Sequence, residues 1–586
     1  LDDPISGRSM GSTIESPHQS QCVQLRWFFR CLTVALGFTQ IVLARNTVGP
    51  DARSYLEIAR AILRGDWAMV INAYWSVLYP WMLAPMLAIL RPSLRWEFPV
   101  AHLLAFPVLL LCIWAFEFFW SSLLQLRESG ERYAGYIAPI PAWQFWVLGY
   151  SFLIWLVVGD LITAINPDLS MTTIALFSAG LVNRIVLARQ TKAGPYLWFG
   201  ACLGLGYLTK AVLFPMGFVF LGVTALVLWR FSLLQARKRL LAAAALIFVC
   251  ISLPEIALLS NAKHRLTFSD AGKLNFAWYT YNLPQRNWQG EPRWSGTPVH
   301  PTRKIFEHPA VYEFNGPLRS SYPPWYDPSY WNEGLSPTFQ AKVVTKHVLA
   351  QTAKLAEILR HPTAWIVGIA LIFLMADWVG TWKGIATARY LLLISALALA
   401  AHCVTLLESR YLGPWEILLW GALLAGIRLR AGMARWCGLI AVLVSLALIG
   451  AMVNLERGEA THGFHNYAGA EYAIAEGLQK TGLPKGTRVA AIGFDNDAYW
   501  PYLLRWNVVA EIETDETCRF WGEPAEVQQR VMEKFAQAGS EVVVVNAGDG
   551  IRTTSRAIPL DLPGCARPGV GWQQVPGSSD YVFFLR

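Results

Sequence analysis

The sequence predicts a polytopic α-helical membrane protein with about eleven transmembrane helices and a small C-terminal α/β domain. Of its 586 residues, 54% are hydrophobic and only 15% are charged, whereas soluble domains carry about 25% charged residues. The apolar residues are concentrated in runs close to the roughly 20 residues that cross a bilayer. From about residue 456 the pattern changes to short apolar strands that alternate with helical segments.

The chain divides into three predicted parts. A polar tail over residues 1–24 is expected to be disordered and cytoplasmic, a transmembrane part covers 25–455, and the α/β domain covers 456–586. The predicted spans are 31–44, 98–124, 143–158, 169–187, 200–210, 215–229, 240–258, 365–379, 391–407, 414–427 and 438–453. Basic residues lie mostly in short loops between these runs, which by the positive-inside rule places the loops 46–97 and 260–346 and the C-terminal domain outside the cytoplasm.

The C-terminal domain shows four apolar segments typical of strands, at 487–494, 507–512, 541–546 and 581–586. Helical segments at 471–480 and 523–538 alternate with them, which predicts a partly parallel sheet. No G-x-G-x-x-G follows the first strand, so no dinucleotide site is expected. Cys518 and Cys565 are free to form a disulfide if this domain lies outside the cytoplasm.

Several other site classes are excluded or disfavoured. The formal charge is +9, but the basic residues follow the topology rather than forming one face, so no nucleic-acid partner is expected. The nine cysteines show no C-x-x-C spacing, and no metal site or cofactor is predicted. The Asp495-Asn496-Asp497 triplet follows a strand, which favours a turn and helix cap over a metal-binding D-x-D motif.

The first outer loop contains the stretch around which the chemistry is organised, residues 49–67. Asp51 follows a proline, and an amphipathic helix predicted to lie on the membrane surface comes after it. Its apolar face carries Tyr55, Ile58, Ala59, Ile62 and Leu63, and its charged face carries Arg53, Glu57, Arg60 and Arg64. Two interpretations of Asp51 remain open at this point: a helix N-cap or a general base.

Further polar residues fall at the same predicted outer face. Asp168 begins the fourth span, Lys210 ends the fifth, Arg265 follows the seventh, and Arg410 and Tyr411 lie between the ninth and tenth. Ionisable residues at span ends that face one compartment indicate a functional site. Acids can take a proton from a hydroxyl group, and cations stabilise a developing phosphate charge.

Each of these residues also has a structural alternative. Asp168 is a good N-cap, Lys210 is typical of a lysine that extends to the membrane interface, and Arg410 has Glu408 nearby as an ion-pair partner.

The order of these motifs resembles the lipid-dependent membrane glycosyltransferases of the GT-C fold, such as protein O-mannosyltransferases and aminoarabinose transferases. The resemblance covers about residues 25–455. It rests on an acid in the first outer loop, Leu78-Tyr79-Pro80, Pro167-Asp168, Leu208-Thr209-Lys210, and Arg410-Tyr411-Leu412 followed by Pro414.

The resemblance implies an inverting transfer at the periplasmic face of a bacterial inner membrane. The donor would be a polyprenyl-phosphate-linked sugar, and the acceptor a hydroxyl of a lipid, glycan or protein. Asp51 would be the catalytic base, and Asp168 a second acid that orients the acceptor or the surroundings of Asp51. Lys210, Arg265, Arg410 and Tyr411 would bind the donor phosphate. The alternative is a non-catalytic membrane protein that binds or translocates lipid-linked glycans, although charges at span ends rather than span centres favour the enzyme.

Overall fold

The computed structural model describes residues 17–128, 137–188, 191–461, 467–547, 552–554, 558–560, 565 and 567–585. Within these ranges the chain is mainly helical. The helices of the first half are α1 Pro17–Leu43, α2 Pro50–Arg64, α3 Trp67–Val70, α4 Leu78–Leu90, α5 Glu97–Leu103, α6 Ala105–Glu128, α7 Ala142–Leu156, α8 Asp168–Leu187, α9 Gly194–Thr209, α10 Leu213–Arg230, α11 Leu234–Ala262 and α12 Ala271–Asn275. Those of the second half are α13 Pro323–Tyr326, α14 Pro328–Trp331, α15 Ala341–Arg360, α16 Thr363–Leu374, α17 Trp378–Val404, α18 Ser409–Gly426, α19 Ala434–Thr461, α20 Tyr467–Gln479, α21 Trp500–Leu504, α22 Thr517–Gly522 and α23 Ala525–Gln537.

The protein is a multi-pass membrane protein. Over the described ranges, eight helical stretches are long and apolar enough to cross a bilayer: Cys22–Asn46, Leu94–Arg127, Ala142–Leu161, Asp168–Leu187, Leu213–Arg230, Leu234–Ala262, Trp378–Val404 and Ala434–Thr461. Helices α15 and α16 add a ninth if they are taken as one span bent by 79°. The expected count of eleven is not confirmed, because α9 has only 16 residues and α18 carries Arg410 and Glu416.

Helix α1 begins at Pro17, so residues 17–24, which were expected to belong to a disordered tail, are helical. Residues 1–16 of that expected tail lie outside the described ranges. The spans pack as pairs, with α6 along α8, α9 along α11, and α17 along α18. Small residues permit this close approach: an added Cβ at Gly200 of α9 would meet the backbone oxygen of Ala244 at 2.2 Å.

The strands are short and mostly gathered in the C-terminal part. They are β1 Ile137–Pro139, β2 Arg303–Phe306, β3 Val311–Glu313, β4 Arg428–Arg430, β5 Arg488–Ile492, β6 Asn507–Ile512, β7 Val542–Val545, β8 Arg552–Thr554, β9 Ile558–Leu560, β10 Trp572–Gln574 and β11 Tyr581–Phe584. The main sheet has the order β10-β11-β7-β5-β6-β3-β2, and β5 pairs in parallel with both β6 and β7. The predicted α/β domain with a partly parallel sheet is therefore confirmed.

The long loop 260–346 does more than connect two spans. Its hairpin β2–β3 adds to the terminal sheet, because β3 pairs antiparallel with β6. The loop's aromatic segment also packs inward: Trp325 and Tyr326 are buried, and the Trp325 ring stacks on Trp278 at 6.0 Å. The loop and the terminal domain therefore form one extramembrane layer that covers α2.

A cluster of buried carboxyl groups lies where the loop meets the sheet. Glu511 of β6 accepts hydrogen bonds from Asn287 Nδ2 and the Tyr322 hydroxyl, both at 2.8 Å. Burial raises the pKa of Glu511 to about 7, against the opposing effect of Arg286. Burial also raises the pKa of Glu513. Removing water from a carboxylate disfavours its charged form. The contact between the loop and the sheet therefore favours the protonated forms of Glu511 and Glu513.

Glu511→Gln is expected to stabilise the protein relative to wild type as the pH rises. A folded pKa of about 7 against an ordinary 4.5 means that the stability linked to Glu511 is fully present below pH 4.5 and is lost as the pH rises through 7. Glutamine keeps an acceptor oxygen but never ionises. The melting temperatures of both proteins, measured at pH 5, 6, 7 and 8, should therefore show a difference that grows in favour of the variant.

The exposed Glu526 of α23 supplies the matched control. Glu526→Gln should leave the difference from wild type independent of pH. A Glu511→Gln curve that runs parallel to wild type from pH 5 to 8 would contradict the linkage.

Candidate active site

Asp51 lies in the first turn of α2, which begins where the sequence favours a helix start. Gly49 is the N-cap, and Pro50 occupies the first helical position, where its missing N–H is no loss. The helix ends at Gly65, whose φ of 70° is the left-handed conformation that glycine adopts readily. Asp51 is thus not the N-cap. Its side chain, 29% exposed, accepts a hydrogen bond from Arg410 Nη2 at 3.2 Å.

Three spanning-region helices bring the other residues to the same place. Asp168 is the first residue of α8, Lys210 directly follows the last residue of α9, and Arg410 and Tyr411 lie in the first turn of α18. Because α8 and α18 begin where α9 ends, all of these side chains gather at one end of the helix bundle. We call Asp51, Asp168, Lys210, Arg410 and Tyr411 the Asp51 cluster.

Two cations hold the buried Asp168. Lys210 Nζ pairs with Asp168 Oδ1, and Arg410 Nη1 lies 3.6 Å from Asp168 Oδ2. The Asp168 side chain is only 1% exposed, whereas those of Lys210 and Arg410 are 21% and 29% exposed. The cluster therefore has a sealed acid at its base and an accessible acid, Asp51, at its mouth.

Tyr411 fixes both cations from the side. Arg410 Nη2 donates a hydrogen bond to the Tyr411 hydroxyl at 3.1 Å, and Lys210 Nζ lies 3.5 Å from the centre of the Tyr411 ring. An ammonium group over an aromatic face is attracted by the ring's electrons. A buried acid left with no cation would be an uncompensated charge, and Asp168 has two cations to prevent this.

The structural alternatives fit these positions less well. The N-cap of α8 is Pro167 rather than Asp168. Lys210 pairs with an acid instead of extending into solvent. Glu408 lies within 3.4 Å of Lys354, while the acids paired with Arg410 are Asp51 and Asp168.

Arg265 is not brought to the Asp51 cluster. Its Nη2 lies 2.5 Å from Asp270 Oδ1, and its backbone N–H donates to the Ser260 carbonyl. The side chain is 40% exposed. The expected role of Arg265 at the donor phosphate therefore has no geometric support among the described residues.

Arg265→Gln is accordingly expected to leave the kinetic constants of the protein's reaction close to those of wild type, because Arg265 contacts Asp270 and Ser260 rather than the Asp51 cluster. Steady-state kinetics of the purified variant would check this. A tenfold loss of kcat/KM would show that Arg265 contributes to the reaction and would contradict its exclusion from the site.

Three tyrosines near Asp51 were not among the predicted site residues, and Tyr55 was placed only on the apolar face of α2. Burial raises the pKa of Tyr55, Tyr74 and Tyr279, and the charge of Asp51 adds to the increase in each. Their hydroxyl groups therefore remain protonated and able to donate hydrogen bonds beside the acid. Tyr55 could have been found, because it lies four residues after Asp51 and so on the same face of α2.

The charged face of α2 is largely covered, and only Arg64 at its end is exposed to solvent. Arg53 is fully buried: its Nη1 donates to the Ala498 carbonyl at 2.6 Å, and its guanidinium lies 4.8 Å from the centre of the Tyr322 ring. Glu57 accepts a hydrogen bond from the Ser321 backbone N–H at 2.6 Å. The expected membrane-surface helix is thus held between the spans and the extramembrane layer, which fixes the position of Asp51.

Neither a family model nor a curated protein matches the sequence. Solved structures do match. The apo structure of ArnT from Cupriavidus metallidurans aligns with a TM-score of 0.51 at 12% identity, over 89% of this chain and 92% of that one. The same protein bound to undecaprenyl phosphate gives 0.47 at 13% identity, over 95% and 97%. The oligosaccharyltransferase AglB from Archaeoglobus fulgidus, in complex with an inhibitory peptide and a dolichol-phosphate, gives 0.45 at 12% identity, over 89% and 69%. The bundle of spans with its appended sheet, aligned with apo ArnT over most of both chains, thus identifies the architecture of this protein as the GT-C fold.

Proposed function

We propose that the protein is an inverting glycosyltransferase that moves a sugar from a polyprenyl-phosphate-linked donor to a hydroxyl acceptor. The observation that carries the proposal is the Asp51 cluster, in which an accessible carboxylate lies 3.2 Å from one of two cations. The GT-C fold is consistent with this chemistry, but a fold alone does not define a reaction. What each side chain of the Asp51 cluster can do chemically therefore decides the proposed reaction.

Asp51 serves as the base in the proposed reaction. Its carboxylate accepts the proton of the acceptor hydroxyl, whose oxygen attacks the anomeric carbon from the side opposite the phosphate. The bond between the anomeric carbon and the phosphate oxygen breaks, and its electron pair stays on the phosphate. A single displacement of this kind inverts the configuration at the anomeric carbon.

Arg410 and Lys210 stabilise the leaving phosphate. Both are partly exposed at the cluster's mouth and are already held in place by Asp168 and Tyr411. Cations fixed before the reaction need no reorganisation when negative charge develops. Tyr411 belongs to the donor-phosphate site as the residue that orients both of them.

Asp168 acts as a positioning residue. A carboxyl group that is 1% exposed and engaged by two cations is poorly placed to touch an acceptor. Of its two expected roles, organising the surroundings of Asp51 is therefore the one that burial favours. The burial of Asp168 also disfavours a retaining mechanism, which would need a second accessible carboxylate as nucleophile.

The reaction is proposed for the periplasmic face of a bacterial inner membrane. The Cys518–Cys565 disulfide supports an extracytoplasmic terminal domain, since disulfides persist in oxidising compartments. The Asp51 cluster lies on the same side, because α2 contacts both the cluster and the terminal domain. The hydrophobic tail of a lipid-linked donor would stay in the bilayer beside the spans.

A panel assay tests this proposal. Purified full-length protein in lipid nanodiscs is incubated with a set of polyprenyl-phosphate hexoses and pentoses and a membrane extract as the source of acceptors. Products are detected by mass spectrometry, and their anomeric configuration is assigned by NMR. Transfer with inversion from one donor is expected. Retention of configuration would refute the mechanism, and donor binding without turnover of any donor would favour the binding or translocating alternative.

A further inference from the structure

The side of α2 away from the Asp51 cluster lines a cavity. A pocket of about 280 Å³ lies between α2, the segment just before α13, and the region between α21 and β6. Four guanidinium groups line it, and we call it the arginine pocket: Arg60, Arg64, Arg319 and Arg505. It shares no residue with the Asp51 cluster. At 1.5 Å per residue, its nearest α2 residue, Glu57, lies about 9 Å along the helix from Asp51.

The four guanidinium charges of the arginine pocket are only partly compensated by the lining acids Glu57 and Asp66 and by Glu97 behind them. Arg60 and Arg505 both contact Glu97, with Arg60 Nε 2.9 Å from Oε1 and Arg505 Nη2 3.1 Å from Oε2. Arg64 and Arg319 are exposed, and neither has an acidic partner within 4.0 Å among the described residues. Two unpaired guanidinium groups at the rim of one pocket favour an anion.

A buried polar atom of the pocket lining is also left without a partner. The hydroxyl group of Ser320 makes no hydrogen bond among the described residues, although this residue is 4% exposed. A buried polar group without a hydrogen bond costs about 1–3 kcal/mol, which is recovered when a ligand supplies the missing partner.

The carboxyl group of Glu57 does not argue against an anion. Burial raises the pKa of Glu57, and a protonated carboxyl group is a hydrogen-bond donor. An anion in the pocket would favour that protonated form further.

We propose that the arginine pocket binds a phosphate group, with Arg64 and Arg319 as the main cationic contacts and Ser320 as a hydroxyl donor. Guanidinium groups match phosphate oxygens in pairs, and hydroxyl donors complete such sites. The phosphate comes either from a lipid headgroup or from a soluble anion. Trp67 and Trp81, exposed near the end of α2 and stacked 6.0 Å apart, are typical of the membrane interface and favour the lipid. The binding site stands independently of the proposed sugar transfer.

Calorimetric titration of the detergent-purified full-length protein with inorganic phosphate tests the soluble source. The Arg64→Gln/Arg319→Gln double variant should bind at least tenfold more weakly at this site. Both arginines are exposed, so folding should be preserved. Arg293→Gln, which removes an exposed arginine of the same loop outside the pocket, should bind as wild type does. Arg410→Gln is titrated in parallel, so that any phosphate bound at the Asp51 cluster is counted separately.

Native mass spectrometry with dioleoyl phosphatidic acid tests the lipid source, with diacylglycerol as the phosphate-free counterpart. Retention of phosphatidic acid that falls in the double variant and in Ser320→Ala, but not in Arg293→Gln, assigns a lipid phosphate to the pocket. Loss of the calorimetric site alone assigns a soluble anion. A double variant that binds both probes as tightly as wild type would overturn the proposal.

Discussion

Replacing Asp51 with asparagine is expected to slow sugar transfer by about 10²- to 10⁴-fold, the usual contribution of a general base. Asparagine has the size of aspartate and keeps an oxygen that can accept the hydrogen bond from Arg410. The amide cannot take a proton from the acceptor hydroxyl, so the chemical step fails while donor affinity is retained. Single-turnover measurements with donor prebound to the variant separate that step from binding.

The exposed Asp515 of the terminal domain provides the matched control, and Asp515→Asn should transfer at the wild-type rate. The melting temperature of Asp51→Asn should stay close to that of wild type, because the side chain is partly exposed. If Asp51→Asn transferred sugar as fast as wild type, Asp51 would be a structural residue of the first turn of α2 and the mechanism would be wrong.

Replacing Arg410 with glutamine is expected to lower kcat by about 10²- to 10³-fold, the effect of deleting one preorganised charge-stabilising donor. Arg410 lies 3.2 Å from Asp51 and 3.6 Å from Asp168, so it is the side chain that links the proposed base to the phosphate-binding cations. Its loss removes stabilisation that is strongest when the phosphate leaves. The kcat and KM values of Arg410→Gln, compared with those of Arg410→Lys, would show how much of the effect is charge.

Arg410→Lys should recover part of kcat, because an ammonium group restores the charge without the two-pronged geometry of the guanidinium. Lys210 still neutralises Asp168 in both variants, which protects the fold, and the melting temperature verifies this. Arg265→Gln is the matched control at an ion pair outside the cluster. An Arg410→Gln protein with wild-type kcat and KM would contradict the role of Arg410 in stabilising the leaving phosphate.

The architecture was largely predictable because buried segments are recognisable in the sequence as apolar runs with a characteristic length and periodicity. Each predicted strand of the terminal domain coincides with an observed one, since short apolar runs such as Val542–Val545 have no helical periodicity. The grouping of Asp168, Lys210, Arg410 and Tyr411 was also predictable. Alternating span directions determine which helix ends meet, and residues at those ends must then be neighbours.

The contacts between distant segments were not predictable. Hairpin β2–β3 is only seven strand residues long, and its partner β6 lies about 200 residues later, so neither pattern nor length indicates the pairing. The buried Arg53 looked like a solvated residue because charge periodicity shows a polar face but not what covers it. The expected span count is not confirmed, because α9 has only 16 residues and the largely buried α18 carries Arg410 and Glu416.

The most direct measurement of the central claim is a cryo-electron microscopy structure of the full chain in nanodiscs with undecaprenyl phosphate bound. We expect the phosphate to lie within about 3 Å of the Arg410 guanidinium and the Lys210 ammonium, with Asp51 left open toward the acceptor side. A phosphate bound elsewhere, with the Asp51 cluster unchanged and empty, would contradict the account.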